Sequence, residues 1–232
     1  MKKVFSLFVL SSFLLSCTIN YDIGRQVKVD EKSVIEKYWH SFGMISGRSD
    51  KGFGGVTGTV FAIDDVRMLT AAHVCLAILT GQIFGELQQN MWITYLDESG
   101  ELVEIQDIDV VTLDADKDLC LLRKDGHGLV PLKIADNVEV HDKIMILGAP
   151  QGVFPMETEG TVMAIDAKYI DNQLKDTMLL SAPAYGGNSG GPVINEQAEV
   201  VGVLVMGSRA YSQISFAVNL KTLKKFIKKK VK

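Results

Sequence analysis

From residue 57 to residue 218 the chain is cut into short apolar runs by glycine, aspartate and asparagine, and that cadence confines it to β-rich architectures. The run 57–63 carries Thr59, Val60, Phe61 and Ile63 and stops at Asp64-Asp65; 66–70 returns from that turn as the second arm of a hairpin. Runs at 91–96, 102–105, 108–113 and 119–123 complete a first set. A second set follows at 143–148, 159–165, 177–181, 193–194, 200–205 and 214–218, after a polar connection near 124–142. Many short strands with such turns predict an all-β sandwich or barrel, and two sets predict two barrels. Residues 33–40 read as a short helical turn or lead-in strand. The tail differs: Leu220, Leu223, Phe226 and Ile227 recur at helical spacing, Asn219 can cap the start, and lysines fill the remaining positions. A terminal helix docked by one apolar stripe is expected there, its lysines complementing the helix dipole.

The first residues are not read as part of the fold. Lys2-Lys3 precedes an apolar run to Leu15, too short for a spanning helix, which needs about 20 residues, but suited to an export signal. Leu14-Leu15-Ser16-Cys17 ends it and resembles a bacterial lipobox, so residues 1–16 are expected to be a lipoprotein signal peptide, with Cys17 acylated and 17–32 a tether. Removal of Lys2 and Lys3 takes the formal charge from −4 to −6. That balance gives no support for nucleic-acid binding, which shows as a basic domain. Cys75 and Cys120 both lie in apolar stretches and are read as reduced thiols buried in the core, a disulfide between them being the alternative open to an exported protein.

Chemistry concentrates in Gly186-Gly187-Asn188-Ser189-Gly190-Gly191-Pro192. Glycine permits backbone angles that let neighbouring N–H groups converge beside a serine hydroxyl, which suits a nucleophile with an oxyanion hole. A glycine-rich turn with an idle serine fits the heptapeptide equally well. A serine nucleophile needs a base. His40 lies in the lead-in, and His127 and His141 in an exposed loop and a turn. His73 alone follows small residues, Thr70-Ala71-Ala72, at the end of a predicted strand. It can be a base or an ordinary core histidine. Of Asp114, Asp116 and Asp118, the last opens an apolar strand and is the first choice to orient an imidazole, with Asp116 second. The G-x-S-x-G elbow order requires a histidine after the serine, and none follows Ser189. The order acid, histidine, serine would have to use Asp64 or Asp65 in a turn. His73, Asp118, Ser189 remains.

These three blocks resemble those of trypsin-like serine proteases, nearest the HtrA/Deg-like branch. The stretches 131–136, 144–150 and 159–162 are similar to that branch as well, so the likeness covers about 54–218. The resemblance implies a chymotrypsin-like fold of two six-stranded antiparallel barrels, about 38–128 and 129–218, and a C-terminal helix at 219–232, together making one protease domain over 33–232. It implies Ser189 as nucleophile, His73 as base and acid, Asp118 as orienting carboxylate, and the N–H groups of Gly187 and Ser189 as oxyanion hole. Pro183, Val203, Leu204, Val205 and Ser215 are expected to wall the specificity pocket, favouring an uncharged residue before the cut bond. Asn188 stands where zymogen-type enzymes carry an aspartate, so that form of activation is not expected; neither is a PDZ domain after the helix. No metal or cofactor is expected. The implied partners are polypeptide substrates and a membrane reached through Cys17, with a homo-oligomer allowed, and the implied location is the cell envelope, periplasm or cell surface. A protease-fold binding or chaperone module without useful catalysis is the rival, and an esterase a weaker third.

Overall fold

The computed structural model describes residues 34–49, 52–80, 90–167, 176–208 and 210–229. All lie in the compact unit Lys32–Lys232. The readings placed on the signal peptide, Cys17 and the tether fall outside the described residues. A short helix α1 (Val34–Tyr38) and a 3-10 turn (Trp39–Ser41) lead into β1 (Phe42–Ser49), β2 (Gly52–Ala62) and β3 (Arg67–Thr70). Helix α2 (Ala72–Thr80) follows, then β4 (Asn90–Leu96), β5 (Leu102–Ile105), β6 (Asp109–Asp114) and β7 (Leu119–Arg123). The second half holds β8 (Lys143–Gly148), β9 (Met156–Ala167), β10 (Thr177–Leu180), β11 (Pro192–Asn195), β12 (Val200–Gly207) and β13 (Ser215–Asn219), and ends in α3 (Leu220–Lys229).

The fold is mostly β with a C-terminal helix. Strands β8–β13 close into a six-stranded barrel, whereas β1–β7 form a seven-stranded sheet in the order β5-β4-β1-β2-β3-β7-β6. The seventh strand is β1, in the stretch between the expected lead-in at 33–40 and the first expected strand at 57–63, where the sequence predicts no strand. Phe42-Gly43-Met44-Ile45-Ser46 pairs with both β2 and β4 and buries Phe42 and Ile45 completely.

Period-two alternation builds both cores at once. On β8, Ile144 and Ile146 face the interior of the closed barrel, while Met145 and Leu147 join the large cluster shared with the seven-stranded sheet. On β12, Val201 and Leu204 belong to the inner cluster, and Val200, Val203 and Val205 to the outer one. A strand buried on both faces reads as a continuous apolar run, as 200–205 does. Helix α3 seats Leu220, Leu223 and Phe226 in the core, and the Asn219 side chain accepts a hydrogen bond from the Thr222 N–H at 2.9 Å, capping its start.

Two local readings change. His127 is buried, only 3% exposed, because both ring nitrogens are satisfied there. Nδ1 accepts from the Leu129 N–H at 3.1 Å, so Nε2 carries the proton and donates to the Asp64 carbonyl at 2.8 Å. Cys75 and Cys120 form a disulfide, Cα–Cα 6.6 Å, instead of two reduced thiols. Residue spacing cannot reveal this proximity. It arises because β3 pairs with β7, setting Thr70 opposite Cys120, and α2 then turns Cys75 back over that pair. By chain entropy, a cross-link spanning 45 residues is worth about 4 kcal/mol.

The β2–β3 turn rests on Asp64. Its Oδ1 accepts from the N–H groups of Val66 (3.0 Å) and Arg67 (2.7 Å), and its Oδ2 from the Arg67 guanidinium. Burial works to raise this carboxyl's pKa, but the two N–H groups and the guanidinium outweigh it, and the value is held below the usual carboxylate range. A depressed carboxylate stabilises the fold above its unfolded value, about 4, and that stabilisation is lost as pH falls through the folded value. Asp64→Asn is therefore expected to cost about 0.5–1 kcal/mol near pH 7, a partly exposed pair being screened by solvent. Denaturant unfolding of both proteins from pH 7 to pH 3 checks this: the gap between them should close on the acid side.

Candidate active site

Strand β3 ends at Thr70, and fully buried Ala71 and Ala72 carry the chain straight into α2, so His73 lies in the first turn of that helix. The first N–H groups of a helix have no partner inside it. Asp118 supplies one: its Oδ1 accepts from the His73 backbone N–H at 2.8 Å, while Oδ2 accepts from Nδ1–H of the same residue at 2.7 Å. One carboxylate thus fixes both the backbone and the ring of His73, leaving Nε2 as the nitrogen without the proton. Asp118 sits just ahead of β7 with φ +52, a left-handed conformation that aspartate tolerates better than most residues. The β3–β7 register sets the approach, because Thr70, three residues before His73, lies opposite Cys120, two residues after Asp118. The other acidic residues of the stretch do not reach the ring. Asp114 accepts from the Lys117 N–H at 3.2 Å, and Asp116 is exposed.

The serine loop is held by its carbonyls. Gly186 O accepts from the Gln151 N–H (2.7 Å), Gly187 O from Thr59 Oγ1 (2.8 Å), Asn188 O from the Gly191 N–H (2.9 Å) and Ser189 O from the Thr59 N–H (2.8 Å). With four consecutive carbonyls engaged, the N–H groups of Gly187 and Ser189 donate to no backbone acceptor among the described residues. Gly187 has φ +104 and Gly190 φ +87, which favour glycine at both positions. Space demands it at Gly190 as well: an added Cβ would lie 2.1 Å from Thr70 Oγ1, 2.3 Å from Thr59 O and 2.8 Å from Ala71 N. The serine loop therefore packs directly on the stretch that delivers His73.

Thr59 joins these parts, and sequence reading passes over it as one more β-branched strand residue. Its Oγ1 donates to Gly187 O and accepts from the Ala149 N–H (3.1 Å), its N–H donates to Ser189 O, and its carbonyl accepts from Thr70 Oγ1 (2.7 Å). It is completely buried. Nothing in Thr57-Gly58-Thr59 sets it apart from a strand threonine that merely fills space.

Beside His73 opens a cleft of about 300 Å³, walled by His73, Leu76, Lys117, Thr177, Val205 and Val218. The residues expected to wall a specificity pocket are dispersed. Val205 reaches this cleft, but Val203 and Leu204 are buried in the two cores, for the alternation on β12 turns them inward. Ser215 is fully buried on β13, and the Pro183 carbonyl accepts from Thr158 Oγ1 at 2.8 Å. Asn188 is 2% exposed and packs against Gly148, where an added Cβ would meet its Oδ1 at 2.6 Å. Among the described residues no cluster of three or more His, Cys, Asp or Glu side chains could hold a metal ion.

Comparison with known proteins bears on the family and the fold. A model of the trypsin-like peptidase domain matches residues 56–203. A probable periplasmic serine endoprotease of the DegP-like kind from Pseudomonas fluorescens is 29% identical over 114 residues, which are 47% of this chain and 24% of the relative. Its counterpart from Chlamydia pneumoniae is 30% identical over 115 residues, again 47% and 24%. The chain thus spans about a quarter of the length of the curated relatives it matches. Among solved structures, Deg5 superposes with a TM-score of 0.66 at 22% identity, covering 82% of this chain and 89% of that one. The serine endoprotease of Yersinia pestis gives 0.64 at 20% identity, over 85% and 65%. The family model takes in more than half of the sequence, with His73, Asp118 and Ser189 inside the matched residues, and the chain belongs to the trypsin-like peptidase domain family.

Proposed function

We propose that this chain is a serine endopeptidase that hydrolyses polypeptides through an acyl-enzyme, without cofactor, and that it is exported and held at a membrane by a lipid on Cys17. The observation that carries the catalytic reading is the double hold of Asp118 on His73, ring and backbone together. A neutral hydroxyl is a weak nucleophile. His73, with Nδ1–H committed to Asp118, presents its other nitrogen to take the Ser189 proton as Oγ attacks the scissile carbonyl. The imidazolium so formed is stabilised by the same carboxylate and returns the proton to the leaving amine. Charge developing on the carbonyl oxygen is met by the N–H groups of Gly187 and Ser189, and losing one such donor costs on the order of 10²–10³ in turnover in a comparable site. Water then repeats the sequence on the ester. The expectation of an uncharged residue before the cut bond rests on Val205 and Val218, apolar members of a cleft that Asp116, Lys117 and Asp118 also line.

A fluorophosphonate probe and an unfolded protein substrate separate the readings. The wild type is expected to be labelled and to cut the substrate after uncharged residues, and Ser189→Ala to do neither. No labelling of the wild type would point to a binding or chaperone module. Labelling without peptide cleavage would point to an esterase.

Thr59→Val keeps shape while removing the hydroxyl that bridges Gly187 O and Ala149 N. Leaving such buried groups unpaired costs about 1–3 kcal/mol of stability, and letting the oxyanion loop drift lowers kcat by about 10- to 100-fold. Steady-state kinetics should show kcat falling with KM within about twofold, since the loop aligns the reacting atoms while the cleft beside His73 binds the chain.

The anchor has its own test. Cys17→Ser is expected to move the protein from the membrane fraction to the soluble fraction, and unchanged fractionation would refute acylation.

A further inference from the structure

The two halves of the His73–Asp118 pair sit on different elements, and each is followed two residues later by a cysteine: Cys75 on α2 and Cys120 on β7. The hydrogen bonds between the halves are open to water, with the His73 side chain 49% and the Asp118 side chain 29% exposed. The cross-link behind them is dry, both cysteines having no exposed surface. Helix α2 is held unevenly. Val74, Cys75 and Ile78 face the core, while Leu76 and Leu79 are exposed. The second residue of such a helix is free to rock unless something close to it fixes the N-terminal turn. Cys75 makes the first backbone bond of that turn, to Ala71 O at 3.3 Å, and the disulfide bolts this residue to the strand that presents Asp118.

We propose that the Cys75–Cys120 disulfide is a positioning element of the active site, holding His73 in register with Asp118, so that activity follows the oxidation state of this pair. It rests on the reading of His73, Asp118 and Ser189 as a catalytic triad. A dithiol opens the bond by thiolate attack on one sulfur, which expels the other cysteine as a thiolate and leaves the attacked one in a mixed disulfide; the dithiol's second thiolate then displaces that cysteine. The dithiol leaves as a cyclic disulfide, having lost the two electrons and two protons that the protein gains as two thiols. With the bolt open, only the one-sided packing of Ala72, Val74 and Ile78 and two water-exposed hydrogen bonds hold His73 on Asp118, and the base spends less time aligned with the serine.

The test uses the full chain carrying Cys17→Ser, so that only this pair titrates. It is partly reduced with dithiothreitol, alkylated, and exposed briefly to a fluorophosphonate. Intact-mass spectrometry then scores the adduct separately on oxidised and on doubly alkylated molecules. The adduct is expected to form about tenfold faster on oxidised molecules, the scale of a small misplacement of a catalytic group; equal rates overturn the proposal. Because reduction could act by unfolding, Cys75→Ala/Cys120→Ala is examined by proton NMR. Its upfield methyl dispersion reports the fold, and the downfield Nδ1–H resonance, assigned by its loss in His73→Ala, reports the pair. A dispersed spectrum in which that resonance is broadened or gone, with kcat lowered and KM kept, supports positioning. A retained resonance with wild-type kcat, or loss of dispersion together with activity, overturns it. If oxidised protein takes no probe at all, the triad reading fails; the resonance still tests whether the cystine holds the pair.

Discussion

Asp118 is asked to satisfy two requirements with one carboxylate, and much of the site follows from that. A helix that begins directly after a strand exposes N–H groups with no partner, and it carries partial positive charge at that end. An anionic oxygen placed there is stabilised by the helix, and the second oxygen of the same group lies where it can take the imidazole N–H. The carboxylate that orients the ring therefore also terminates α2 and fixes where the ring's backbone sits. The geometry becomes available because β3 and β7 are neighbours in the sheet, for no local sequence signal could bring residues 73 and 118 together.

The serine loop depends on a comparable economy at Thr59. Of the four consecutive carbonyls of residues 186–189, three are drawn to donors on other segments, two of these donors belonging to Thr59, and the fourth is held within the loop by the Gly191 N–H. With the carbonyls so engaged, the N–H groups of Gly187 and Ser189 donate to no backbone acceptor among the described residues, while the Asn188 N–H between them donates to Tyr185 O at 3.0 Å; an oxyanion site is a cluster of such unengaged groups. Gly190 then lets the loop come within contact of Thr70 and Ala71. The serine loop of the closed barrel is in this way indexed to the strand end that launches His73, so the two strand sets are aligned by hydrogen bonds at the candidate site itself as well as by the apolar cluster they share.

How much of this is legible in the sequence depends on whether a residue's role is local. Ser189 between glycine pairs, His73 after small alanines and Asp118 at a strand opening each stand out by local sequence, and the structure joins His73 to Asp118. The strand cadence and the capped, stripe-bearing terminal helix are local too. Other features are set across elements and leave no such trace. Val203 and Leu204 are expected as pocket walls from the family resemblance, yet the alternation along a strand buried on both faces turns them into the two cores. Strand β1 escapes because Gly43, Ser46 and Gly47 interrupt it, and Ser46 is buried all the same. His127 looks solvated between two glycines, but its ring closes a gap between Asp64 and Leu129 that belongs to the tertiary structure. Cys75 and Cys120 look like two core thiols for the same reason.

The cystine differs from the polar contacts around it in what water can do to it. Hydrogen bonds at the mouth of a cleft must stay partly exposed, since a substrate has to reach the imidazole, and exposure lets solvent compete for every donor and acceptor there. A covalent link does not exchange with water, and placing it two residues behind each partner keeps it out of the cleft while leaving little slack between the backbones that carry the pair. Burying more apolar surface on α2 would stiffen the helix too, but Leu76 already lines the cleft and Leu79 faces solvent, so the sides left for packing are those that Val74, Cys75 and Ile78 occupy. In an oxidising compartment a disulfide forms and persists, and it adds rigidity at the one turn where His73 needs it without closing the route to the serine.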